Sequence, residues 1–289
     1  MLTRLSLHNR FTTVPIARIA LIGSELTSTR SPRVTAARRL IKRAFRDRDG
    51  RFLAEGPQAC REAAREAGVL IDLYVTSEAA QRHSDIVDAA KAAGAEIIWA
   101  SGEVVSSLAG TITPQGMVGV CVKPERSLDE VVALSPKLVV LLAHARDPGN
   151  IGTVIRCADA AGADAVIVSD ASVDPFNPKA VRASAGSIFH LPVVVGPTVE
   201  VAVASCASLG MQIFAADGAG DCDLDQLADE GQLGADSVWI FGNEAWGLPA
   251  QTRALADTVV RVPIYGAAES LNLATAAAVC LYASARAHR

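Results

Sequence analysis

Aromatic residues are scarce in this chain of 289: 3 Trp, 3 Tyr and 7 Phe make up 4% of it. Nucleic-acid binding built on rows of stacked rings is therefore excluded, and any contact with a polyanion must rest mainly on charge. Cysteines are few and scattered. Cys60, Cys121, Cys157, Cys206, Cys222 and Cys280 form no C-x-x-C pair and the five histidines do not gather near them, so no metal centre is expected and the thiols read as reduced. Long apolar runs are missing too. The longest charge-free apolar candidate, residues 270–285, has 16 residues; as a helix it would reach about 24 Å against a bilayer core of roughly 30 Å, so no membrane span is expected. Arg18 splits the apolar residues 14–22 and no clean cleavage signature follows, so residues 1–28 read as a loosely ordered extension rather than a secretion signal.

The common nucleotide signatures are absent as well. Without G-x-x-x-x-G-K-[ST] a P-loop NTPase is disfavoured, and without G-x-S-x-G so is a hydrolase elbow. Gly218-Ala219-Gly220 lacks the third glycine of a dinucleotide fingerprint and does not open a helix after a first strand.

What the chain has is apolar residues in quantity, 50% against 20% charged, and an uneven charge distribution. The net charge of −4 divides into +5 over residues 1–126 and −9 over residues 127–289. Most of the positive excess lies between Arg30 and Arg51, where nine Arg and Lys residues face only Asp47 and Asp49. Val34, Ala37, Leu40, Ile41 and Ala44 recur there at helical spacing, which predicts an amphipathic helix with a basic outer face. Charge patterning alone fits either a phosphate-binding surface or a merely solvated one.

Beyond that helix, RFLAEG, LIDLYVT, AEIIWA and MVGVCV read as strands, with helices over 57–67 and 79–93, giving a small α/β unit that ends near Lys123. PERSLDEVVALSP, residues 124–136, reads as a linker with a short helix. From Lys137 the apolar strands KLVVLLA, DAVIVS, LPVVV, QIFAA, SVWIFG and VVRVP alternate with helical stretches, the pattern of a parallel sheet covered on both faces. The expected fold class is α/β, with domains at 29–123 and 137–289.

Polar residues of the second unit cluster after strands, in HARDPGNIG, DGAGD, NEAWGL and IYGAAESLN, at the sheet edge where open α/β folds bind ligands. In DPGNIGTVIRCADAAG a helix starts with Asn150 near its cap; Ile151, Val154, Ile155, Ala158 and Ala161 take the buried face, and Arg156 shares the other side with Gly149, Gly152 and Thr153, which leaves room for a substrate. Glu244 follows a strand between Gly242, which allows close backbone approach, and Gly247, which allows a turn. Its carboxylate fits a ligand-orienting role, a pair with Arg156, or a cap on the helix beginning near Pro249. Ser270 reads as an N-cap of the final helix, which leaves Asn272 inside an apolar first turn without a structural reason.

Together, DPGNIGTVIR, FGNEAWGL and VRVPIYGAAESLNLATAAAVCLY resemble the three motifs of the SpoU/TrmH family of RNA ribose 2′-O-methyltransferases in the SPOUT superfamily, with the flavour of the thiostrepton-resistance-type ribosomal RNA enzymes. The basic first half resembles the small RNA-binding domain that many members carry. The resemblance implies a trefoil-knotted parallel-sheet methyltransferase domain, although knots are otherwise essentially absent from proteins. It also implies a cytoplasmic homodimer with its active site near the subunit interface, S-adenosylmethionine as cofactor and ribosomal RNA as substrate. On that resemblance Asn150, Arg156, Glu244, Ser270 and Asn272 fall on catalytic positions. Ala216, Asp217, Gly218, Gly242, Val262, Ile264 and Leu271 would contact the cofactor, with Ile264 standing where the family has Met. Arg38, Arg39, Lys42, Arg43 and Arg182 would contact RNA. A transfer-RNA enzyme is the alternative within the family, and a non-catalytic RNA-binding protein on the same fold the alternative outside it. A class I methyltransferase would need a Gly-rich loop where this chain has HARDPGN.

Overall fold

The computed structural model describes residues 25–243 and 245–288. Most of the expected N-terminal extension lies outside the described residues. Its last part is not loose: Leu26 donates its N–H to the Trp99 carbonyl at 2.8 Å and accepts from the Ser101 N–H at 3.0 Å, adding a bridge at the sheet edge.

Two sheets form. The first has strands β1 (Arg51–Glu55), β2 (Leu70–Val75), β3 (Glu96–Trp99) and β4 (Met117–Val122) in the order β1-β4-β2-β3, antiparallel except for the β2/β3 pair. The second contains β5 (Leu138–Leu142), β6 (Ala165–Val168), β7 (Val193–Val195), β8 (Gln212–Ala216), β9 (Cys222–Asp223), β10 (Ser237–Phe241) and β11 (Thr258–Arg261), all parallel, in the order β7-β6-β5-β10-β8-β11-β9. Its near-continuous apolar strands divide by alternation. Leu138, Val140, Leu142, Trp239 and Phe241 enter one core while Val139, Leu141, Val238 and Ile240 enter another on the opposite face. This is why these strands read as unbroken hydrophobic runs rather than as alternating ones.

Several local expectations change. The basic helix is two helices, Pro32–Arg39 and Arg43–Asp49, so Val34, Ala37 and Leu40 are buried but Ile41 and Ala44 are exposed. The helix expected over 79–93 breaks at His83 into Ser77–Arg82 and Ser84–Ala92, and Gly102–Leu108 is a helix the pattern did not reveal. The stretch 124–136 does hold a short helix, Leu128–Ala133, closed by a Ser127/Glu130 capping box. It is no free tether, since Val131 is buried in the parallel-sheet core.

The two sheets share a core. Phe52 of β1 lies 5.0 Å from the ring of Phe176 and 5.7 Å from that of Phe189, so three of the few aromatics meet at this junction. Arg46, counted above with the phosphate-facing cations, is instead buried there: its Nη2 lies 2.6 Å and its Nε 2.7 Å from Asp174 Oδ2, and its Nη1 donates to the carbonyls of Leu40 and Ile41. Arg182 is likewise turned to the junction, pairing with Glu55 at 2.8 Å, which occupies the guanidinium expected to reach RNA.

His190 joins the same contact, with Nδ1 2.8 Å from Asp159 and Nε2 3.1 Å from Glu62 across the two units. Partial burial lowers its pKa, but the hydrogen bonds to both carboxylates outweigh that and hold it above the ordinary value. A raised folded-state pKa contributes stability that is complete below the unfolded value of about 6.5 and is lost as pH rises through the folded one. Melting temperatures from pH 6 to 9 should therefore fall more steeply for the wild type than for His190→Gln, and parallel curves would remove the charged bridge.

Candidate active site

The carboxyl ends of β5, β8, β10 and β11 lie on one edge because the strands are parallel. The loops after β8, β10 and β11 enclose a cavity of about 350 Å³ there. Ala216, Asp217, Gly218, Gly242, Val262, Ile264, Ser270 and Leu271 all line it. Trp246 and Glu269 line it too and were not singled out in the sequence. Trp246 is 58% exposed, a large ring left open in a chain with few aromatics.

The loop after β10 is held by its own backbone. Asn243 and Gly247 exchange N–H to carbonyl bonds of 3.0 and 2.9 Å, and Gly247 closes the turn at φ +68°. Asn243, also missed, accepts from the Ala245 N–H at 2.8 Å and donates to the His144 carbonyl at 3.2 Å, tying this loop to the one after β5. A Cβ on Gly242 would lie 2.5 Å from the Gly247 carbonyl oxygen. The close approach that requires glycine is thus to the loop's own backbone rather than to a ligand. Asp217 clamps the same turn, accepting from the Leu248 N–H at 3.0 Å with Arg253 at 3.4 Å. Its carboxylate is therefore spent inside the protein.

Beside the cavity, the helix Pro148–Ala161 starts within DPGN as expected, with Asp147 as its N-cap and Asn150 in its first turn: Asp147 accepts from the Asn150 N–H at 2.9 Å, and Pro148 stands where no N–H is needed. Lys179 pairs with Asp147 at 2.7 Å, a contact from another helix that spacing did not disclose, and holds the Asp147 carboxylate below its ordinary pKa. The C-terminal helix Leu273–Ala287 begins two positions later than Ser270 as N-cap suggested. Asn272 is its N-cap, accepting from the Ala274 N–H at 2.9 Å, which supplies the structural reason the sequence lacked. The same side chain donates to Asn150 Oδ1 at 3.1 Å. Asn150 and Asn272, 122 residues apart, thus meet next to the cavity-lining Ser270 and Leu271.

Arg156 is exposed and makes no salt bridge among the described residues. Ile151, Val154, Ile155 and Ala158 of its helix are fully buried as expected, while Ala161 is only partly buried. Gly152 is not open space for a substrate: a Cβ there would stand 2.1 Å from the Ala180 carbonyl, so it serves the packing of this helix on Pro178–Ser184. Glu244 lies outside the described residues. Arg38, Arg39, Lys42 and Arg43 are all exposed. Among the described residues no three His, Cys, Asp or Glu side chains gather as a metal site, and no helix is long and apolar enough to cross a membrane.

Comparison with known proteins places this arrangement. Residues 31–119 match the MRM3-like substrate binding domain, and residues 137–282 match the SpoU rRNA Methylase family. The chain is 31% identical over 258 residues to the 23S rRNA (guanosine(2553)-2′-O)-methyltransferase RlmP of Bacillus subtilis, covering 89% of this chain and 98% of that one. The crystal structure of an AdoMet-bound rRNA methyltransferase from Sinorhizobium meliloti superposes with a TM-score of 0.79 at 30% identity, over 91% of this chain and 97% of the other. The SpoU methyltransferase AviRb from Streptomyces viridochromogenes gives 0.76 at 28% identity, over 89% and 98%. With the family matched across half its length, and a relative matched nearly end to end, this chain is a member of the SpoU rRNA methylase family.

Proposed function

We propose that the chain is an S-adenosylmethionine-dependent RNA ribose 2′-O-methyltransferase acting on ribosomal RNA in the cytoplasm. The observation that carries the reading is the convergence of three loops, distant in sequence, on one cavity whose rim adjoins the Asn150–Asn272 amide pair. The residues present fit the cofactor. Val260, Val262, Leu271 and Leu273 supply apolar wall for an adenine, Gly218 offers bare backbone, and the volume falls in the ordinary range of roughly 300–1,000 Å³ for small-molecule sites. The β11 strand seated between β8 and β9, followed by the helix Leu273–Ala287 packed on Pro148–Ala161, supports a threaded C-terminal segment. Exposed Leu271, Val279 and Tyr282 favour a homodimer that covers them.

When bound, the cofactor supplies an electrophilic methyl group on a sulfonium. The protein must hold a ribose 2′-hydroxyl in line with it and favour departure of the hydroxyl proton. Arg156 is unsuited as the base, since a guanidinium keeps its proton at any working pH. As a fixed positive charge it stabilises the developing alkoxide or the adjacent phosphate. Asn150 and Asn272, each fixed by a helix start and bonded to one another, orient groups bound beside their amide pair.

Calorimetry with S-adenosylmethionine should show binding without added metal. Gly242→Val should weaken it by about tenfold or more, since overpacking of roughly 1–3 kcal/mol would displace the turn at Gly247. A folded wild type silent at millimolar cofactor overturns the reading.

A further inference from the structure

The proposed reading gives RNA a route to the protein through exposed cations, but the first sheet also carries a built cavity. About 360 Å³ of space lies between the helix Pro32–Arg39 and the face of β1, β2 and β4, and it shares no lining residue with the first cavity. We propose that it receives the base of one unpaired nucleotide of the substrate RNA, with Arg33 as the stacking surface and Arg51 as the phosphate contact. This rests on the reading above and adds to it a site for a nucleotide other than the one methylated.

Arg33 is fixed in an unusual way. Its Nη2 lies 2.9 Å from Asp72 Oδ1, its Nη1 lies 2.6 Å from Glu96 Oε1, and Nη2 also contacts the second Glu96 oxygen. With its edge donors taken by two carboxylates, the guanidinium offers its flat face, and bases pulled out of a stack lie on such planes as they do on aromatic rings. In a domain with few aromatics this is the available platform. Ala36, Ala37, Leu40 and Val120 supply a low apolar floor, where two alanines on consecutive helix positions leave the room. The Tyr74 hydroxyl lies at the back, its pKa pushed up to about 12 by burial, so it remains a neutral hydrogen-bonding group at neutral pH.

Arg51 completes the arrangement. It lines the cavity and is exposed, and its side chain makes no hydrogen bond or salt bridge among the described residues, its charge being felt by Asp49 nearby, so its donors can turn to a phosphate. Arg39 and Arg48 sit over the Phe45 ring at 5.6 and 4.8 Å, and Arg48 pairs with Asp49, so the carboxylate that lines the cavity beside Arg51 already has a partner. A base and its phosphate thus meet separate groups, one flat and saturated, one cationic and open.

The test is fluorescence anisotropy of the full chain with a labelled single-stranded RNA decamer of mixed sequence, across a salt series. Cofactor affinity and methyl transfer to ribosomal RNA are measured on the same preparations. Ala36→Trp, at an exposed helix position, fills the cavity and should weaken the decamer by about tenfold, as should Arg33→Lys, in line with the loss of one stacked base. Arg33→Lys keeps the charge, so its salt slope should match wild type, whereas Arg51→Ala should lower the slope by about one. Cofactor affinity should not move in any of them. A loss in Ala36→Trp no greater than in Arg38→Ala, which removes charge without touching the cavity, overturns the proposal. So does a wild type that binds free AMP or GMP but not the decamer. Methyl transfer by the wild type reports separately on the enzymatic reading, so the cavity can fail while that reading stands.

Discussion

Arg156→Ala should transfer methyl groups at about one hundredth of the wild-type rate or less, the scale seen when one preorganised electrostatic donor is removed from an active site. Its melting temperature should stay nearly unchanged. Arg156 is exposed and forms no salt bridge among the described residues, so its loss falls in the class of surface substitutions worth about 0.5 kcal/mol or less. Arg156→Lys should recover little, because an ammonium is a point charge without the planar fork. The comparison belongs at saturating cofactor and RNA, where turnover alone is read. Near-normal turnover in Arg156→Ala would move the chemistry to Asn272 and Glu244.

Asp174→Ala should have the opposite signature, a large loss of stability. It leaves the Arg46 guanidinium buried with two backbone carbonyls and no counter-charge, and it removes the acceptor for the Phe176 N–H at 2.8 Å. Breaking one side of a buried ion pair costs about 3–5 kcal/mol, which in a chain of this size corresponds to a drop of about 10 °C in melting temperature. Replacing both partners, Arg46→Met with Asp174→Leu, should recover much of that loss because no charge is then stranded. A single Asp174→Ala that melts within 2 °C or so of wild type would show the pair to be hydrated and the junction looser than its burial indicates.

Why the sequence disclosed one class of residue and hid the other follows from range. Strands β5, β6, β8 and β10 were legible because burial on both faces demands unbroken apolar runs, and parallel order then puts their loops on one edge. The cavity-lining residues followed from that edge and from the resemblance of three motifs. Arg46 was misplaced because charge patterning sees neighbours in sequence, whereas Asp174 is 128 residues away. Gly152 looked like room for a substrate for the same reason: a missing side chain admits either a ligand or another helix, and here the Ala180 carbonyl takes the space. Asn272 lacked a structural role only while the final helix was started too early. Once Leu273 is the first helical residue, one amide both caps the helix and reaches Asn150.

The most direct measurement is transfer of a tritiated methyl group from S-adenosylmethionine to ribosomal RNA from cells lacking the gene, followed by alkaline hydrolysis. Methylation of a ribose 2′-oxygen protects the adjoining phosphodiester, so the label is expected in an alkali-resistant dinucleotide. That label should accumulate about a hundredfold more slowly, or slower still, when Arg156→Ala replaces the wild type. Label released as an ordinary mononucleotide would mean a methylated base and would contradict the account, as would a folded, cofactor-binding protein that transfers nothing to ribosomal RNA.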